Sequence, residues 1–206
     1  MRKILLPISL AALLWSACSK SEFPSGGFEN PVFRTGFEAD PPVSWTAGEG
    51  GAYLFTRVEQ GEGNVLVMSG AFADAGCPMG DCPGSMRFEF RNEWPESFVR
   101  PDSIFKAGKS WTYKSPFDDS LSLHTVALQW VMPDGAVFRS DILPQPQDSS
   151  GTSPHFNILH SEPWEKNERD EATWKMDVSF SCWLFDTVHQ KERKILGSGV
   201  IAVGYR

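Results

Sequence analysis

Between Trp174 and Leu184 the chain alternates with a strict period of two. Trp174, Met176, Val178, Phe180, Cys182 and Leu184 fall on one side, and Thr173, Lys175, Asp177, Ser179 and Ser181 on the other. Successive side chains of an extended chain point to opposite faces, so this run is a half-buried strand of an antiparallel sheet. A helix would scatter the same residues around its circumference. Met86, Phe88 and Phe90 alternate with Arg87, Glu89 and Arg91 in the same way. The stretches 32–38, 43–46, 52–59, 65–73, 110–114, 121–132, 136–142, 155–160 and 195–205 complete the set of strand candidates. The 121–132 stretch changes face near His124 and Thr125, which predicts a bulge there.

Turn chemistry separates these runs. Gln60-Gly61-Glu62-Gly63-Asn64 and Pro133-Asp134-Gly135 read as hairpin connections. Residues 161–171, SEPWEKNERDE, are highly charged and lack an apolar stripe, so they read as a loop. About eleven short strands without a long amphipathic helix predict an all-β fold, an antiparallel β-sandwich of jelly-roll-like or immunoglobulin-like type. The segment 100–109, RPDSIFKAGK, interrupts the pattern. One sandwich over 32–206 is the favoured reading, and two small ones over 32–100 and 110–206 the alternative.

The first residues carry a different signal. Met1-Arg2-Lys3 is basic, Ile4 to Trp15 is nearly all apolar, and Ser16-Ala17-Cys18 follows. That order is a secretory signal, and its apolar run is too short for a spanning helix, which needs roughly 20 residues. The ending Ser16-Ala17-Cys18 resembles the lipobox of bacterial lipoproteins. The resemblance implies cleavage of residues 1–17, diacylglyceryl and palmitate groups on Cys18, and a lipid bilayer as partner through that residue. Ser19 in second place favours the outer membrane or cell surface by the same resemblance. Ordinary secretory cleavage after Ala17 is the rival, and it would put the bulky Trp15 at −3, where a small residue is wanted. Residues 18–31, rich in Ser, Gly and Pro, read as a flexible tether.

A formal net charge of −7 argues against a nucleic-acid partner. Cys77 and Cys82 sit among Pro and Gly residues that let the chain turn tightly, so in an exported protein they read as a disulfide. A zinc site would need further ligands that no neighbouring Cys or His supplies. Cys182 lies on the apolar side of its strand and reads as a buried free thiol, with a bridge to Cys77 or Cys82 as the alternative. His155 and His160 fall on opposite faces and make a poor joint metal site. Asp118, Asp119, Asp134 and Asp148 lie in loops, where they would serve turns and solvation or hold Ca2+. Neither a cofactor nor a resident metal follows from any of these motifs. Ser103-Ile104-Phe105-Lys106 matches the Ser-x-x-Lys pattern of acylating enzymes without its companion motifs, and Gly108-Lys109-Ser110 imitates a phosphate loop without the following helix.

Trp183 and Phe185 fall on the face opposite Phe180, and Trp94, Trp111 and Trp164 near loops. Exposed rings on a sandwich suit a glycan or protein partner; rings covered by a second layer belong to the core. Trp183 and Phe185 are therefore the candidate ligand-binding residues. The functional expectation is a surface lipoprotein that binds or associates rather than catalyses. A glycan- or ester-hydrolysing enzyme with a site built from distant loops is the alternative.

Overall fold

The computed structural model describes residues 27–39, 41–93, 101–117, 123–146, 153–186, 188 and 191–205. Eleven strands form: β1 (Arg34–Phe37), β2 (Val43–Thr46), β3 (Ala52–Gln60), β4 (Val65–Asp74), β5 (Met86–Glu93), β6 (Ser110–Tyr113), β7 (Thr125–Val131), β8 (Val137–Arg139), β9 (His155–Trp164), β10 (Ala172–Asp186) and β11 (Glu192–Tyr205). One helical turn, α1 (Pro101–Ile104), precedes β6 and sends Ile104 and Phe105 into the core. The fold is all-β, and every stretch expected to be a strand contains one.

The strands join in one sheet of order β2-β1-β11-β10-β9-β6-β7-β5-β4-β3, with β8 bridging β7 and β10. All pairings are antiparallel except β6 with β7. Three expectations are corrected. β10 and β11 have 15 and 14 residues and are not short. Ser161 to Trp164 continue β9 along β10 instead of forming a loop, with Ser161 opposite Met176. The face change near His124 is a left-handed turn leading into β7, His124 having φ 57°, and not a bulge. The register shift lies between β9 and β10, where Leu159 is the extra residue.

β5 and β10 are four steps apart in the sheet order, which in a flat sheet would be about 19 Å. The rings of Phe88 on β5 and Phe180 on β10 are nevertheless 5.6 Å apart. The sheet therefore doubles over, and its inner faces meet around Phe88, Phe90, Phe156 and Phe180. Strands on both sides of residues 100–109 contribute to this one core. The C-terminal half of β11 presses against β3 and β4, where side chains are missing. A Cβ on Gly204 would stand 2.6 Å from the Arg57 carbonyl carbon, and one on Gly70 would strike the Ala202 carbonyl oxygen.

β7 and β10 do not pair directly. β6 and β9 fill the space between them at one end and β8 at the other. The remaining gap is closed by side chains of the segment after β8. The Gln145 amide accepts from the Trp183 N–H at 2.7 Å and donates to the Trp183 carbonyl at 3.0 Å, as a paired strand would. On the β7 side, the Ser140 hydroxyl accepts from the Leu128 N–H at 2.9 Å, and the Ser140 N–H donates to the Leu128 carbonyl at 3.0 Å. Both backbone requirements are thereby met without a strand.

The outer edge of β3 is covered in two places. Phe28 and Leu54 exchange backbone hydrogen bonds of 2.8 and 3.1 Å, and the Asn167 amide donates to the Thr56 carbonyl at 3.2 Å. Such cover removes free donors and acceptors that would otherwise recruit another strand.

Candidate functional site

The two outer faces of the doubled sheet differ in kind. One of them, over β5 and β8, carries a charged ladder. Glu89 lies between Arg87 and Arg91, at 3.6 and 3.0 Å, and Arg139 makes a two-point contact with Asp141 at 2.9 and 2.7 Å. The loop closed by Cys77 and Cys82, whose Cα atoms are 6.2 Å apart, folds onto this ladder. Asp81 accepts from Arg87 at 3.2 Å and from Gln129 at 3.1 Å, and the Ser85 hydroxyl donates to the Gly80 and Cys82 carbonyls. The disulfide expected from the sequence is present. Its surroundings hold the loop down and leave it a structural clasp.

The other outer face carries a trough. Residue pairing aligns Ser44 (β2), Gly36 (β1), Ser198 (β11), Ser179 (β10), Asn157 (β9) and Ser110 (β6) in one transverse row. Six strands at about 4.8 Å spacing make this row about 24 Å long. None of the six side chains has more than an amide's bulk, and all are exposed or half-exposed. The row is flanked by Arg34, Val200 and Asp177 on one side and by Glu38 and Leu196 on the other. Over β2, β1 and β11 the trough deepens to a cavity of about 880 Å3, reaching Asp177 and the bulged Leu159. Leu159 is 60% exposed and Leu196 43%, so apolar side chains stand at the rim of a polar floor.

On the other side of β2 is a smaller cleft of about 450 Å3, lined by Val43, Trp45, Trp130, Met132, Pro133 and Arg193 among others. The Trp45 indole N–H donates to the Gly84 carbonyl at 2.6 Å and fixes the cleft's wall. Phe37 packs edge-on against Trp130, with centroids 5.0 Å apart, and supports its floor.

The ligand-binding candidates named from the sequence lie in neither place. Phe185 is 5% exposed and lines neither the trough's cavity nor the cleft. Trp183 is half-buried; its backbone is engaged by Gln145, and its indole nitrogen is buried without a hydrogen-bond partner among the described residues. Trp111 is buried against Phe90 and Phe105. Trp164 lies under the Lys175 ammonium, 4.4 Å from its ring centroid. Trp94 and Cys18 are outside the described residues.

The remaining candidates have structural roles. Cys182 is a buried free thiol, and burial pushes its pKa up to about 12, which leaves it protonated and unreactive at neutral pH. Asp134 accepts from the Ala136 N–H at 3.0 Å and shapes the β7–β8 turn; Asp118, Asp119 and Asp148 are outside the described residues. His155 lies 3.1 Å from the Ser153 carbonyl, and His160 is 3.9 Å from Glu162. Ser103 is in α1 and Lys106 beyond its end, while Ser110 opens a strand rather than a helix. Among the described residues no group of three or more His, Cys, Asp or Glu side chains could hold a metal ion. No helix among them is long and apolar enough to cross a membrane.

The trough was missed in the sequence because each strand contributes one ordinary residue to it. The only local trace is the Gly-Ser-Gly of 197–199, where Gly197 and Gly199 face inward and Ser198 outward.

No family model, curated protein or solved structure matches this chain.

Proposed function

We propose that the chain is a surface lipoprotein, anchored by acylated Cys18 and held off the bilayer by residues 18–31, whose β-domain binds an extended partner along the trough. The observation that carries this reading is the row from Ser44 to Ser110, free of bulky side chains across six strands. Hydroxyl and amide side chains both donate and accept, so a polyhydroxylated chain such as a glycan meets matching groups along its length. The exposed Leu159 and Leu196 offer contacts to its C–H faces. Two acyl chains anchor stably where a single one is marginal.

Two measurements test the two halves of the proposal. Cys18→Ala should shift the protein from the membrane fraction to the soluble or unprocessed one; equal partition of variant and wild type removes the anchor. For the trough, Ser198→Trp places an indole in the middle of the row on an exposed position. Binding to a surface-glycan array should fall at least about tenfold, the equivalent of 1.4 kcal/mol. Undiminished binding by this variant places the site elsewhere. Release of shortened glycan from the array identifies a hydrolase instead.

A further inference from the structure

We propose that the cleft between β2 and the end of β7 is a second binding site, for a small aliphatic carboxylate. Its walls are apolar: Trp45 and Trp130 supply rings that are 8% and 3% exposed, and Val43, Met132 and Pro133 complete them. At about 450 Å3 the space lies within the range of small-molecule pockets, which pair apolar walls with few polar groups. Among the described residues the one charged group lining it is Arg193. The guanidinium carbon lies 5.6 Å from the Trp130 ring centroid and 5.5 Å from that of Phe138. Ring faces thus hold the guanidinium, and no acidic side chain among the described residues pairs with it. Cation–π contact leaves the N–H fork open, and that fork matches a carboxylate with two parallel hydrogen bonds. A cation with no acidic partner among the described residues, beside an apolar space, selects a ligand with both features: a negative head and a short hydrocarbon body.

An arginine can also cover aromatic rings merely to shield them from water. That role involves no preference for anions, and the two are separable. Hexanoate, hexanol and acetate would be titrated calorimetrically into the full chain in detergent. Hexanoate should bind, with hexanol at least about tenfold weaker because it lacks the charge-assisted contact, and acetate at least about tenfold weaker because it lacks the hydrocarbon body. Arg193→Gln should weaken hexanoate by a similar factor while keeping a cooperative thermal transition, because Arg193 is exposed. Arg193→Glu should abolish hexanoate binding and admit hexylammonium. No heat with hexanoate, equal affinity for hexanol or for acetate, undiminished hexanoate binding by Arg193→Gln, or no hexylammonium binding by Arg193→Glu would each overturn the proposal.

Discussion

A Phe180→Ala variant is expected to lose about 3–5 kcal/mol of folding stability, measured by urea or thermal denaturation. Phe180 is fully buried, stacks on Phe156 at 6.1 Å between centroids, and meets Phe88 edge-on at 5.6 Å. It joins the two halves of the doubled sheet, so its ring contributes to both layers. The space it leaves is hard to fill. Its seat is shaped by Gly197, where a Cβ would stand 2.5 Å from the ring, so Gly197 brings no side chain that could relax into the void. Unrelaxed cavities are the costly ones, which places this site toward the upper end of the range. Against a typical total of about 5–15 kcal/mol, the loss is large. A variant as stable as wild type would mean that the inner face of β10 is misassigned.

Asn167→Ala should cost about 2–4 kcal/mol, through hydrogen bonds rather than volume. Asn167 is 6% exposed, and both ends of its amide are used. The nitrogen donates to the Thr56 carbonyl and hydroxyl at 3.2 and 3.1 Å and to Glu171 at 2.8 Å. The oxygen accepts from the Arg169 and Glu171 N–H groups at 3.0 and 2.9 Å. One side chain thereby shapes the turn between β9 and β10, in which Asp170 has φ 59°, and ties it to β3. Asn167→Asp separates these roles. It retains the acceptor, loses the donors and sets a carboxylate beside Glu171, so it should be no more stable than the alanine variant at neutral pH. Rescue by aspartate would show that only the turn matters. A change within about 0.5 kcal/mol for alanine would remove the tie altogether.

These two residues mark what the sequence makes legible. Phe180 stands in a run whose period of two assigns its face directly, and Met176, Val178, Phe180, Cys182 and Leu184 are all at most 1% exposed. Turn residues were equally readable: Gly63 and Gly135 have positive φ where the hairpins require it. Asn167 sits in a charged stretch with no periodicity, and only its position beneath β3 gives it meaning. Periodicity also treats a strand's outer face as solvent, yet Thr173 and Ser181 are buried there and Phe185 is too. Each is covered by a part of the chain whose placement depends on topology. The same limit hides the trough and the cleft. The row of small side chains arises from pairing register across six strands, and Arg193 meets Trp130 and Phe138 only because β11 and β8 approach the end of β7. Nothing in the local chemistry of a strand records which strand becomes its neighbour.

The backbone pair between Phe28 and Leu54 has a mechanical consequence. A pull on the N-terminal end of the domain arrives first at these two hydrogen bonds, on the rim of β3. Behind them stands Phe33, fully buried, its ring 5.3 Å from Phe28 and 5.4 Å from Trp164. Only after that ring is extracted does tension reach β1, which is gripped on both sides by β2 and β11. The load is thus spread over the rim, an aromatic plug and two ladders in series. The domain can yield at its outermost rung and absorb a tug while the sheet that carries the trough keeps its shape.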